Sequence, residues 1–136
     1  MSASNQQTLA KLGATERPPM LEKGSYVPWA SHFMRVLDNK QEDGERMRHS
    51  IEVGPYKRKM IQNSDKPDDS KAQIIEPLIK MTESTKKQYF ADIRVINFIL
   101  QGIPNDIYNS VDACKNAKQM WERIRRLMHG SEKIEQ

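Results

Sequence analysis

The sequence predicts an all-α protein, a small irregular bundle of about four to five helices with a disordered N-terminal arm and a long central loop. Two stretches carry this prediction, because apolar residues recur every three to four positions over residues 89–100 and again over residues 117–128. No stretch shows the alternation of apolar and polar residues that is typical of a half-buried strand. A length of 136 residues corresponds to about one domain.

The chain divides into an arm, a helical domain and a tail. Residues 1–20 are polar and end in Arg17, Pro18 and Pro19, which predicts a flexible N-terminal arm, although a functional tail is the alternative. The helical domain is expected over residues 21–131, and residues 132–136 are expected to form a short C-terminal tail.

The first helix is expected to begin near Ser25, a residue that can cap a helix, with Pro28 tolerated in the first turn. Its apolar residues follow at helical spacing: Trp29, Phe33, Val36 and Leu37. The polar residues 41–44 predict a break. Met47 and Ile51 then predict a short second helix over about 44–52, closed by Gly54 and Pro55.

Residues 55–81 show no clear periodicity, and they are rich in turn-forming polar residues. Four apolar residues near their end surround Pro77, namely Ile74, Ile75, Leu78 and Ile79. We therefore expect a long loop that places a few side chains on the core.

The central helix is the strongest prediction. Thr82 or Ser84 can cap it, and it is expected to end at Gln101 and Gly102. One wide apolar face is formed by Tyr89, Phe90, Ile93, Ile96, Ile99 and Leu100. Val95 and Phe98 extend the apolar character around the helix, so we expect it to be buried on most sides.

Pro104 can open a further short helix that includes Ile107, Tyr108 and Val111, and Asn116 can cap the last helix. The last helix carries a regular apolar stripe: Ala117, Met120, Trp121, Ile124, Leu127 and Met128. Gly130 is its expected end. We expect this stripe to pack against the central helix.

The net charge of +4, from 22 basic and 18 acidic residues, is small, and the two signs are mixed along the chain. This charge does not identify a partner. A single cysteine, the lack of a signal peptide and the lack of a long apolar run predict a cytoplasmic protein without a membrane partner.

The residue types that carry catalysis are not grouped. His32, His49 and His129 fall on three different predicted helices, and no residue with an activating role lies close to Cys114 in the sequence. There is no glycine-rich phosphate loop. The sequence therefore predicts no catalytic residue, no metal site, no cofactor and no small-molecule substrate, and so a protein that is not an enzyme.

Two basic groups are candidates for contact with nucleic acid. These are the triplet Lys57, Arg58 and Lys59 and the last-helix arginines Arg123, Arg125 and Arg126. The alternative for both is a solvated helix or loop surface. For Trp29 and Trp121, core packing is favoured over a docking surface.

Three motifs, in order, resemble those of a known family. The first has Leu21, Gly24, Ser25 and Tyr26, followed by Trp29. The second is residues 103–108 (IPNDIY), and the third is residues 117–124 (AKQMWERI), followed by a Gly-Ser pair at 130–131. This order resembles the N-terminal, capsid-like region of the Gag polyprotein of copia-type LTR retrotransposons of plants, over about residues 20–131.

The resemblance implies a structural, non-enzymatic helical module that associates with itself into virus-like particles, in an element that packages its own RNA. The signature and core positions that it implies, together with the apolar pattern, are Tyr26, Trp29, Phe33, Ile93, Ile96, Leu100, Trp121 and Ile124. The second helical region and the Cys-Cys-His-Cys zinc knuckle of that family, which grips RNA, have no counterpart here, nor do its protease, integrase and reverse transcriptase. The chain is therefore expected to be a fragment of a Gag-Pol polyprotein. A weak RNA-binding module and a domesticated or relic Gag fragment that acts as an adaptor are the alternatives.

Overall fold

The computed structural model describes the backbone of residues 17–135 and the side chains of residues 17–128. Within these residues the chain forms five α-helices and one two-stranded antiparallel sheet. In chain order they are α1 (Tyr26–Asn39), α2 (Gln41–Glu52), β1 (Met60–Gln62), β2 (Gln73–Ile75), a 3₁₀ turn (Leu78–Lys80), α3 (Glu83–Gln101), α4 (Asn105–Asp112) and α5 (Ala117–Glu135). The predicted all-α class is confirmed, with the sheet as a minor addition.

The first two helices are joined through Lys40 alone, and the predicted break over residues 41–44 is wrong. Helix α2 begins at Gln41, whose φ of 60° lies in the left-handed region and interrupts the helical path from α1. Gly44 lies where α2 meets α1, and a Cβ atom at this position would overlap the carbonyl oxygen of Leu37. The sequence suggests that Gly44 interrupts a helix, but in the structure its missing side chain allows the backbones of α1 and α2 to approach closely.

The predicted long loop contains a β-hairpin, because β1 and β2 pair in the register Met60 with Ile75 and Gln62 with Gln73. The connecting turn is closed by the side-chain amide of Gln62, which donates to the carbonyl oxygens of Lys66 and Asp69. The expectation that this segment places apolar side chains on the core is wrong for Ile74, Ile75, Leu78 and Ile79, all of which are exposed.

Helix α3 begins as predicted at Thr82, whose hydroxyl oxygen accepts a hydrogen bond from the backbone N–H of Thr85 at 3.1 Å. Its buried face is narrower than the sequence suggested. The fully or nearly enclosed residues are Ala91, Asp92, Val95, Phe98 and Ile99, whereas Ile96 and Leu100 are half-buried. Ile93, expected in the core, is 42% exposed, and Phe90 is 38% exposed, because α2, α4 and α5 cover only part of the circumference of α3.

Helix α5 begins at the predicted cap, since the backbone N–H of Gln119 donates to the Asn116 side-chain oxygen at 2.9 Å. The predicted end at Gly130 is wrong, because the helix continues to Glu135. A glycine inside a helix costs only about 1 kcal/mol and does not by itself end it. Of the predicted tail, residues 132–135 are therefore helical, and residue 136 lies outside the described residues.

One apolar core joins all five helices. Helix α2 packs against α1, α3 and α5, and α5 also packs on α3 and α4. The contact between α5 and α3 is the one expected from the apolar stripe, and its residues Met120, Ile124 and Met128 are buried. None of the helices within residues 17–135 is both long and apolar enough to cross a bilayer.

The residues that precede α1 pack on the junction between α3 and α4. The backbone N–H of Leu21 donates to the carbonyl oxygen of Gly102 at 2.7 Å, and the indole N–H of Trp29 donates to that of Pro19 at 2.8 Å. A Cβ atom at Gly102 would meet the Pro19 oxygen at 2.6 Å. Packing therefore starts before residue 21, and the part of the predicted arm at residues 1–16 lies outside the described residues.

Candidate functional site

The centre of the core is a group of aromatic rings contributed by three helices. The rings of Trp29 on α1 and Trp121 on α5 stack at 5.1 Å between centroids. Phe33 lies 5.0 Å from Trp121 and 5.3 Å from Phe98 on α3, in tilted arrangements. Such ring pairs add stability beyond the area that they bury, so this cluster joins the first and last helices to the central helix.

The predicted signature positions divide into three groups in this structure. Tyr26, Trp29, Phe33 and Ile124 are buried. Ile96, Leu100 and Trp121 are partly buried and pack against the core. Ile93 alone among the eight is exposed, so its assignment to the core was wrong.

The basic triplet is only partly available to a ligand. The guanidinium of Arg58 donates to the carbonyl oxygen of Glu76 and lies 5.4 Å from the centre of the Tyr89 ring. Lys57 and Lys59 are exposed. Arg58 therefore holds the hairpin to α3, and two exposed lysine side chains remain beside it.

The three arginines of α5 differ in their contacts. Arg123 donates to the hydroxyl and the carbonyl oxygens of Ser110 on α4, and Arg125 pairs with Glu122 at 2.8 Å. The hydrogen bond from Arg125 lowers the pKa of Glu122 below its ordinary value. No hydrogen bond or ion pair joins Arg126 to another residue of the described chain, so Arg126 is the arginine of this set that is open to a ligand.

Arg123 and Arg126 line one side of a shallow groove of about 490 Å³ at the junction of α4 and α5. Lys115 and Lys118 also line this groove, with Glu122 as its one acidic residue. The lysines come from the short connection and from the first turn of α5. The structure therefore places two lysines beside two of the three predicted arginines, but no contact joins this groove to the triplet at residues 57–59.

A buried carboxylate anchors the hairpin. Glu76 is buried and accepts hydrogen bonds from the hydroxyl of Tyr56 and from the backbone N–H of Lys59, the latter at 3.0 Å. These bonds lower the pKa of Glu76, and the same contact with the Glu76 carboxylate raises the pKa of Tyr56. Asp92 on α3 accepts from the backbone N–H of Tyr56 at 2.8 Å, which fixes the entrance of the hairpin to the central helix.

The outer side of the hairpin is an exposed apolar surface that the sequence analysis did not find. Met60 and Ile75 are paired across the two strands and each is 55% exposed, and Ile79 in the following turn is 85% exposed. The pairing of the two strands could not be recognised in the sequence, and the apolar residues near Pro77 were therefore interpreted as loop residues that pack on the core. Exposed apolar side chains of this kind mark contact surfaces when they are clustered.

Residues with catalytic potential are scattered. Among the described residues no group of three or more His, Cys, Asp or Glu side chains is arranged to hold a metal ion. Cys114 is half-buried, with its Sγ 3.8 Å from the carbonyl oxygen of Ser110, and His32 and His49 are exposed on different helices. The side chain of His129 lies outside the described residues. The absence of catalysis stays a prediction.

Comparisons of the chain with protein-family models, with curated proteins and with solved structures found no match.

Proposed function

We propose that this chain is a structural, non-enzymatic module that associates with copies of itself, as the capsid-like region of a copia-type Gag protein does. The observation that carries the proposal is the stacking of Trp29 on Trp121 at 5.1 Å. These two residues belong to the first and last of the three motifs that resemble the Gag family. Their contact supports a structural role for the motifs, since Trp29 is buried and Trp121 packs against the same core.

Two further features support self-association over ligand binding. The groove at the junction of α4 and α5 is open to solvent, and the apolar residues Ile74 and Ile75 of β2 are exposed instead of lining a cavity. Shells can be built from individually weak contacts, because each subunit makes several at once. We expect the assembly to form in the cytoplasm.

Sedimentation equilibrium of the 136-residue chain tests this proposal. We expect the average mass to rise with concentration up to about 1 mM, the range in which association of about 4 kcal/mol becomes visible. A mass that stays monomeric over the whole range contradicts the proposal. A mass that rises identically for a variant unfolded by a core substitution would also contradict it, because the association would then not depend on the fold.

Weak RNA binding is a second candidate, favoured by the groove of Lys115, Lys118, Arg123 and Arg126. Its affinity would fall steeply with salt, because binding to phosphates releases counterions. Arg126→Glu should weaken binding to a single-stranded RNA, whereas Arg125→Glu should have a smaller effect because Arg125 is already paired with Glu122. Equal effects, or no binding at low salt, would remove this candidate. A domesticated adaptor role has no such distinguishing feature in the structure.

A further inference from the structure

The hydrogen bonds of the hairpin show which backbone groups face outward. The backbone N–H of Asn63 donates to Ala72 at 2.8 Å, and that of Glu76 donates to Lys59 at 2.8 Å. Bonded and non-bonded pairs alternate in an antiparallel ladder. Ile61 therefore bonds to Ile74, and the N–H and C=O groups of Gln73 and Ile75 point away from β1.

The outer edge of β2 is unoccupied in the described part of the chain. No other backbone or side chain bonds to the outward groups of Gln73 and Ile75, and all three residues of β2 are exposed. The ladder residues of both strands carry no charge. Three basic residues, Lys57, Arg58 and Lys59, directly precede β1, whereas a single lysine, Lys71, lies two positions before β2. Lysines beside an edge strand are a common protection against pairing, so the edge of β2 is the less protected one.

The same edge is complementary to itself. If two copies of β2 run antiparallel about a two-fold axis at Ile74, Gln73 of one copy lies opposite Ile75 of the other. Both residues have outward-pointing groups, so each of the two Gln73–Ile75 pairs forms two hydrogen bonds. Lys71 falls opposite Pro77, so no like charges meet in this register.

We propose that the outer edge of β2 is a self-association surface, at which a second copy of this chain adds its own β2 to form a four-stranded sheet across a two-fold axis. This inference rests on the proposed function and names one of its contact surfaces. Strand addition of this kind takes its affinity from main-chain hydrogen bonds. A strand of three residues makes a small interface, and the pairing is therefore weak and visible only at high concentration.

The test uses substitutions that block the edge and leave the hairpin ladder intact. Gln73→Pro removes an outward N–H and places a ring at the edge, while the inward bonds of Ile74 remain. The matched control is Met60→Pro, which removes an outward N–H of β1 instead. Sedimentation equilibrium should show a dissociation constant raised at least about tenfold for Gln73→Pro and nearly unchanged for Met60→Pro.

A second pair of variants tests the two-fold axis. Ile74→Lys places two like charges next to each other at the axis, whereas Val27→Lys adds the same charge on α1, away from the hairpin, at a site that is 61% exposed. We expect only the first to weaken association. Amide exchange in the unsubstituted chain should also show slower exchange at Gln73 and Ile75 as the concentration rises, with the inward amide of Ile74 already slow.

The outcomes separate the two proposals. If the unsubstituted chain associates and Gln73→Pro associates equally well, the proposal of pairing through the β2 edge is overturned while the proposed function stands. If the unsubstituted chain stays monomeric, both fall. If Gln73→Pro and Met60→Pro weaken association alike, the hairpin contributes as a whole and pairing through the β2 edge is overturned.

Discussion

In the helical core, large side chains such as Phe33 and Ile99 are fully enclosed, whereas Met60 and Ile75 on the hairpin and Ile79 in the turn after it are more than half exposed. The core is held by interlocking apolar side chains from five helices. The hairpin is held by a few polar contacts at its base, mainly through Glu76, Arg58 and Asp92. This difference separates the part of the chain that maintains the fold from the part that presents a surface.

The two regions should respond differently to loss of a large side chain, and the largest effect is expected in the core. Phe33→Ala should lower the free energy of unfolding by about 3–5 kcal/mol, because it leaves a cavity among Trp29, Phe98 and Trp121. Phe90→Ala, at a position that is 38% exposed, is the matched control and should cost about 1 kcal/mol or less. Denaturant unfolding measures both, and equal costs would contradict the assigned core.

A second substitution tests how closely the first two helices approach. Gly44→Ala should lower the free energy of unfolding by about 1–3 kcal/mol, because the new Cβ atom overlaps the Leu37 carbonyl. An alanine at an ordinary helical position would instead raise it by about 1 kcal/mol. The sign of the change in the free energy of unfolding, measured by thermal or denaturant unfolding, therefore decides whether the helices approach as closely as described. Glu45→Ala at the exposed neighbouring position serves as the control.

Ser50 is the one core position with a polar atom that lacks a partner within the described residues. Ser50→Ala should raise the free energy of unfolding by about 1 kcal/mol, because it removes a buried, unbonded hydroxyl and favours the helix. Ser110→Ala loses the hydrogen bond from Arg123, so its free energy of unfolding should be about 1–2 kcal/mol lower than that of Ser50→Ala. A destabilised Ser50→Ala protein would indicate that the hydroxyl has a partner.

The smallest global effect is expected at the hairpin anchor. The pKa of Glu76 is lowered in the folded protein, so its bonds stabilise the hairpin above the ordinary glutamate pKa. That contribution is lost as the pH falls from about 4.3, the ordinary glutamate pKa, through the lower pKa of Glu76 in the folded protein. Glu76→Gln should speed amide exchange at Lys59 at neutral pH, remove most of this pH dependence and leave the helices protected. An equal loss of amide-exchange protection in the hairpin and in the helices would show that both unfold as one cooperative unit, which would contradict the proposed difference between the two regions.

Most of the helices were predictable from local pattern, because a helix that packs on one side repeats its apolar residues with the period of the helix. The caps at Thr82 and Asn116 and the buried residues Met120, Ile124 and Met128 of the last helix were recognised from local pattern, whereas Leu127 of the same predicted stripe is 37% exposed. The contact of this stripe with α3 followed, since two apolar faces in a small domain must cover each other.

The details that depend on neighbours were not predictable. Ile93 and Val95 are equally apolar, and only the placement of the other helices around α3 leaves the first exposed and the second buried. Gly44 and Gly130 look alike as helix breaks, yet both lie inside helices. The candidate surface was missed for the same reason, because β1 and β2 are three residues each and their pairing partners lie 11 to 15 positions apart.

The sequence by itself determined which stretches become helices and which residues are able to form the core, since both follow from periodicity and side-chain chemistry along the chain. The tertiary structure alone decided which apolar residues stay exposed, where two backbones meet at a glycine and which strand edge remains open. These properties depend on the distance between residues that are far apart in the chain, and local pattern carries no information about that distance.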